Sequence, residues 1–170
     1  GDTLVPPETN LVDRLRFWSQ AQPHAPAFCL DDGERELERL SYQELDLRAQ
    51  AIAVQLQRRQ LAGQTVLLAF PPGLEFVAAL YGCFYANVVA VPVYPPRPGR
   101  IDQRLESIAQ DCAAECVLTV SSLANDWENR CQSLDRLRGV RPLATERWRE
   151  SCSLPELPGP WADDQTAVIQ

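Results

Sequence analysis

Short apolar runs alternate along this chain with longer stretches in which apolar residues recur at helical spacing. In TNLVDRLRFWSQAQP, Leu11, Leu15 and Trp18 share one helical face, with Thr9 as the expected N-cap and Pro23 as the stop. AFCL then reads as a strand, DDG as a turn, and a charged strand ending at Leu40 completes a small edge hairpin. LSYQELDLRAQAIAVQLQRRQ opens with Ser41 and Glu44, spaced so that each side chain caps the other's backbone amide. Its apolar stripe is Leu45, Ala49, Ile52 and Leu56. After a turn at Gly63, TVLLAF is continuously apolar, as a strand covered on both faces must be. Pro71, Pro72 and Gly73 make a tight corner into a helix with Val77, Leu80, Tyr81 and Phe84 as its expected inner stripe. Asn87, which tolerates the left-handed conformation, ends that helix, and VVAV is the next buried strand.

Beyond the proline-rich connector YPPRPGR, Ile101, Leu105, Ile108 and Cys112 mark a further helix and CVLTV a further strand. A helix begins near Ser121 or Ser122, VRPLAT is a weaker strand, ESCSLPELPGPWADD is a loop, and QTAVIQ is one more strand. Strands alternating with helices predict an α/β fold, a mainly parallel sheet flanked by helices. The expected core comprises Leu67, Leu68, Val77, Leu80, Phe84, Val89, Val91, Leu105, Ile108 and Leu118. Ligands of such sheets sit beyond the carboxyl ends of the strands, and FPPGLEF and VPVYPPRP both fall at that edge. Two stiff corners at one edge suggest parts of a site.

Composition narrows the picture. The 170 residues are 45% apolar, enough for one compact core, and carry a formal charge of −7, which disfavours nucleic-acid binding. All sixteen basic residues are Arg; the chain contains no Lys. The window from Leu74 to Val93 has about the length of a membrane span. It holds Glu75, Asn87 and Pro92, so no transmembrane segment is expected. The polar, proline-containing start gives no signal peptide, and Cys29, Cys83, Cys112, Cys116, Cys131 and Cys152 are scattered. Free thiols and a cytoplasmic location follow as expectations. Cys112 and Cys116 stand at helical spacing, but with one distant His they make no zinc site.

Catalytic motifs are missing: there is no GxGxxG, no phosphate loop ending in Gly-Lys-Ser/Thr, no GxSxG elbow and no HExxH. His24, between Pro23 and Pro26, reads as a loop residue, and Asp163 and Asp164 as solvated loop acids. Pro95, Pro98 and Arg100 satisfy the PxxPxR pattern of polyproline ligands, so a non-enzymatic interaction module stays open as an alternative.

A family resemblance adds what these residues do not supply. LSYQELDLRAQAIAVQLQ resembles the opening helix region of adenylate-forming enzymes, the superfamily of acyl-CoA synthetases, luciferases and peptide-synthetase adenylation domains. VLLAFPPGLEFVAALYGCFYANVVAVPVYPPRP is similar to the fatty acyl-AMP ligases, which carry a YPPGLEF-like corner followed by an AVPxYPPRP-like one. Phe70 replaces the common Tyr of the first corner, and Asn87 stands where the family often has Gly; an aromatic and a left-handed cap are kept. The resemblance runs from Thr9 to Gln170. DDQTAVIQ is similar to the strand preceding the family's ATP phosphate loop.

The resemblance therefore implies a leader over 1–8, disordered or expression-derived, and an N-terminal subdomain over 9–170 that stops just before that loop. It implies a parent enzyme that uses ATP and Mg²⁺ to convert a fatty acid to its acyl-adenylate. The acyl group then passes to the phosphopantetheine thiol of an acyl carrier protein in lipid, polyketide or nonribosomal peptide biosynthesis. No catalytic, metal or cofactor-binding residue is expected within 1–170, and the fragment alone is expected to be inactive. Tyr94 and Arg97 are the candidate substrate-binding wall of the acyl and pantetheine cavities. A fragment of an acyl-CoA synthetase is an alternative that the YPPRP continuation disfavours.

Overall fold

A computed structural model describes residues 10–95 and 103–149. Helix α1 (Leu11–Ala21) leads into the antiparallel hairpin β1 (Pro26–Asp31) and β2 (Glu36–Ser41), then α2 (Tyr42–Arg58). The remainder alternates: β3 (Thr65–Leu68), α3 (Leu74–Tyr85), β4 (Val89–Pro92), α4 (Gln103–Asp111), β5 (Cys116–Thr119), α5 (Ser121–Ser133) and β6 (Arg141–Ala144). Strands β3 to β6 form one parallel sheet in the order β4-β3-β5-β6, as the alternation predicts.

The central strand shows why TVLLAF carries no polar residue after Thr65. Val66 and Leu68 point into the layer built by α2 and α3, while Leu67 and Ala69 point into the layer built by α4 and α5. All four side chains are buried. Both faces of the strand are covered, so period-two alternation disappears.

Capping follows the local sequence closely. Ser41 Oγ accepts from the Glu44 N–H at 3.2 Å and Glu44 Oε2 from the Ser41 N–H at 2.9 Å, the expected reciprocal box. Asn87 has φ of 54°, and the Val88 N–H donates to the Cys83 carbonyl at 2.9 Å, so α3 ends in the expected left-handed cap. Gln60 and Ala113 close α2 and α4 in the same way, at φ of 57° and 48°.

Several expectations need correction. The N-cap of α1 is Asn10, whose Oδ1 accepts from the Asp13 N–H at 3.0 Å; Thr9 lies outside the described residues. Its buried residues are Val12 and Leu15, while Leu11 is half exposed. The hairpin is a separate two-stranded sheet packed against α2 and α3, not an edge of the main sheet.

The face of α3 that packs deepest is Ala78, Ala79, Gly82 and Cys83, and the expected stripe of Val77, Leu80, Tyr81 and Phe84 is only half-buried. An almost wholly apolar helix has no periodic stripe to read, and a close approach between helices selects small side chains. Tyr81 instead meets Phe28 of the hairpin edge-on at 6.4 Å and Phe84 at 5.7 Å. Val89 and Ile108 are likewise half-buried; Leu67, Leu68, Val91, Leu105 and Leu118 are core. Cys112 follows α4 whereas Cys116 opens β5, so the two do not share a helix. The predicted loop and strand beyond residue 149 lie outside the described residues.

Candidate functional site

The strands β3 and β4 are adjacent, and the chain turns out of the sheet at the carboxyl end of each. Hydrogen bonding stays continuous up to that point. The Ala69 N–H donates to Leu118 O and the Val93 N–H to Leu68 O, both at 2.9 Å. The buried Thr119 hydroxyl donates to Ala69 O at 2.7 Å, tying β5 to β3. Pro71 and Pro72 then offer no N–H to prolong the ladder, and the chain swings into α3.

The two proline corners face each other across a cleft of about 490 Å³. One wall is Phe70, Pro71, Pro72, Gly73 and Phe76; the other is Pro92, Val93, Tyr94 and Pro95. The first wall is stiffened by an edge-on contact of the Phe70 and Phe76 rings at 6.4 Å. Among the described residues no lining side chain is charged, and Tyr94, 92% exposed at the mouth, supplies the one side-chain hydroxyl of the described lining. Arg97 lies outside the described residues.

A charged cluster sits behind the first wall. Glu75, in the first turn of α3, pairs with Arg48 of α2 at 3.2 Å and with Arg149, just past β6. Its side chain is only 19% exposed. Burial, with the like charge of Arg48, pulls the Arg149 guanidinium below its ordinary pKa.

Chemically the cleft can hold an apolar chain; its described lining offers no nucleophile, general base or cation. The chain has no Lys, and among the described residues no Arg lines the cleft. Among the described residues no group of three or more His, Cys, Asp and Glu could hold a metal ion. His24 is exposed in the turn between α1 and β1. No described helix is long and apolar enough to cross a membrane.

Residues 15–170 match the family described as AMP-binding enzyme. The chain belongs to the AMP-binding enzyme family. Within it, 118 residues are 46% identical to the medium-chain-fatty-acid–[acyl-carrier-protein] ligase JamA of Moorena producens, covering 67% of this chain and 20% of the relative. The long-chain-fatty-acid–AMP ligase FadD28 of Mycobacterium tuberculosis is 34% identical over 121 residues, 69% of this chain and 21% of the relative. The chain thus spans about a fifth of the length of these curated relatives.

Among solved structures, the fatty acyl-adenylate ligase of L. pneumophila, in complex with acyl adenylate and pyrophosphate, aligns with a TM-score of 0.68 and 28% identity. That alignment covers 86% of this chain and 25% of that one. The nonribosomal peptide synthetase FmoA3, in its α-methyl-L-serine-AMP bound form, aligns with a TM-score of 0.74 and 26% identity, covering 98% and 17%. The fold is therefore that of adenylate-forming enzymes.

The corners are legible in sequence, and the structure brings them together. Phe70 and Phe76 as lining residues and the Glu75 cluster are not. The available signal is a lone carboxylate inside the apolar window LEFVAALYGCF.

Proposed function

We propose that this chain is the N-terminal part of a fatty acyl-AMP ligase and that its cleft is one wall of the acyl and pantetheine path. The observation that carries the reading is the apolar cleft between the two proline corners at the carboxyl edge of the parallel sheet. That edge is where ligands of such sheets bind, and the uncharged described lining suits an alkyl chain. The identity to fatty-acid ligases of the AMP and carrier-protein type supports the same direction.

In the complete enzyme the fatty acid carboxylate attacks the α-phosphorus of ATP, pyrophosphate leaves, and an acyl-adenylate results. The carrier's phosphopantetheine thiol then attacks the acyl carbonyl, and AMP leaves. Mg²⁺ supplies charge neutralisation on the phosphates when bound. The described residues of this chain hold neither the metal nor the phosphates; they bind and orient the acyl group. Tyr94 and Arg97 contribute to the substrate-binding wall, and the protein works in the cytoplasm on fatty acid and acyl carrier protein.

Proline presets φ near −65° and restricts the unfolded chain, so a wall built of prolines holds its shape. Such a wall admits a carrier-bound thiol and refuses free coenzyme A. Pro95 is half-buried against the cleft, which favours a wall over a polyproline bait exposed on both flanks. The test is the complete protein with Pro95 and Pro96 replaced by Ala. Acyl-AMP formation should persist, while transfer to carrier protein falls or transfer to coenzyme A rises. Both steps unchanged, with loss of a polyproline-binding partner, would put the bait reading in its place.

A further inference from the structure

The first turn of α3 lacks the side-chain cap that α1 and α2 carry. Asn10 caps α1 and Ser41 caps α2, whereas Gly73 at the start of α3 has no side chain with which to cap. Yet this uncapped turn is the one that forms a wall of the cleft, through Gly73 and Phe76. Glu75 lies between them. Its carboxylate turns away from the cleft and pairs with Arg48 and Arg149 through the same oxygen, Oε1.

Arg48 belongs to α2 and Arg149 follows the 3₁₀ turn Thr145–Trp148 beyond β6. One carboxylate therefore joins three separate parts of the fold behind the wall. A negative charge in the first helical turn also complements the unsatisfied N–H groups there. The pocket behind the turn measures only about 10 Å³, and Glu75 and Arg48 are 19% and 24% exposed, so this pair is largely packed while Arg149, 45% exposed, reaches solvent. A surface ion pair would tolerate loss of one partner, whereas a packed one leaves like charges facing each other.

From this we infer that Glu75 is a positioning residue: paired with Arg48 and Arg149, it holds the first turn of α3, and so Phe76 and the Pro71–Gly73 corner, in the place the acyl chain requires. The inference rests on the reading of the cleft as an acyl path. Loss of the carboxylate lets the turn shift as a body. A displaced wall weakens acyl binding in ground and transition state alike, which appears in KM and leaves kcat alone.

The experiment uses the complete protein carrying Glu75→Gln and, separately, Arg149→Ala. Arg149 is 45% exposed, and its loss leaves the Arg48–Glu75 pair intact, so that variant folds even where the first does not. Glu75→Gln should raise KM for the fatty acid about tenfold and Arg149→Ala about threefold, with kcat and KM for ATP changed less than about twofold. Backbone amides of residues 73–77 should exchange hydrogen faster in Glu75→Gln than in the parent. A lower melting temperature with unchanged fatty-acid KM and unchanged exchange at 73–77 would overturn the inference and leave a purely stabilising cluster. Should the unaltered protein form no acyl-AMP, the functional reading falls instead, and hydrogen exchange at 73–77 still decides whether Glu75 holds the turn.

Discussion

Gly82 sits where α3 crosses α2, and replacing it with Ala tests how closely the two helices approach. A Cβ built there would lie 2.5 Å from Ile52 Cγ2, 2.7 Å from Ile52 Cβ and 3.3 Å from Ala49 O. Two of these atoms hang directly from the α2 backbone, and a β-branched side chain in a helix has essentially one χ1 rotamer, so no side-chain rotation relieves the clash. The helices must separate or shear. Overpacking of this kind costs roughly 1–3 kcal/mol. Against it stands the helix-propensity gain of Gly→Ala, about 1 kcal/mol. Because the contacts are backbone-proximal, the upper half of the overpacking range applies, and the net effect is a loss of about 1–2 kcal/mol.

The assay is urea unfolding of the 170-residue chain followed by far-UV circular dichroism, with the double variant Gly82→Ala/Ile52→Ala closing a thermodynamic cycle. Removing Cγ2 relieves the shortest contact, so the cycle should show a favourable coupling of about 0.5–1 kcal/mol. A neutral or stabilised Gly82→Ala, or no coupling to Ile52, would mean that α2 and α3 are further apart than described. The small-residue face of α3 would then need another explanation.

Leu68→Ala, at a fully buried position of the central strand, should cost roughly 2–5 kcal/mol by the same unfolding assay; a loss below about 1 kcal/mol would remove β3 from the core. Ser41→Ala should cost about 1 kcal/mol through loss of the α2 cap. The N–H and hydroxyl of Ser41 hold the Glu44 carboxyl below its ordinary pKa of 4.5. Its contribution is therefore present above that value and lost as pH falls through the folded value, and Glu44→Gln should flatten this part of the acid limb of stability against pH. Iodoacetamide should label exposed Cys29 in the native protein but leave Cys83 and Cys116 unmodified until denaturant is added, as read by peptide mass mapping. Burial raises both buried thiols, Cys116 to about 12, so rapid native labelling of Cys116 would contradict its placement at the start of β5.

What the sequence revealed, and what it hid, follows the kind of interaction involved. The capping box of Ser41 and Glu44 and the left-handed Asn87 are local, decided within a few residues, and both were legible. So was the parallel sheet, because TVLLAF, VVAV and CVLTV have no exposed face to alternate. The inner face of α3 was not legible: LEFVAALYGCFY is apolar all round, and only the partner helix decides that Ala78, Ala79 and Gly82 pack inward while Phe84 sits at the margin. The hairpin's separation from the main sheet is a tertiary choice of the same sort. For the site, the proline corners announced themselves, but their partnership across one cleft depends on β3 and β4 being neighbours. The pairing of Glu75 with Arg48 and Arg149, 27 and 74 residues away, leaves no periodic trace in the sequence at all.

The proline connector and the Glu75 cluster address one physical problem from opposite sides. A cleft formed where two strands end has no ladder of hydrogen bonds to define its walls, because the chain leaves the sheet there. On the β4 side rigidity comes from the covalent chain: Pro92 and Pro95 flank Val93 and Tyr94, and their fixed φ narrows the conformations open to the connector. On the β3 side the wall is the first turn of a helix, which is stiff within itself but can tilt as a unit. Covalent restriction at Pro71 and Pro72 fixes how the chain enters that turn without fixing where the turn sits. Only lateral ties can do that, and Glu75 with its two arginines behind the wall, together with the Phe70–Phe76 contact in front, provides them. The two walls should therefore fail differently: proline replacement loosens the mouth and acceptor side, whereas loss of the Glu75 charge moves the acyl-facing wall. Independent disturbance of acyl transfer and of fatty-acid KM by the two sets of variants is the signature that separates this division of labour from general destabilisation.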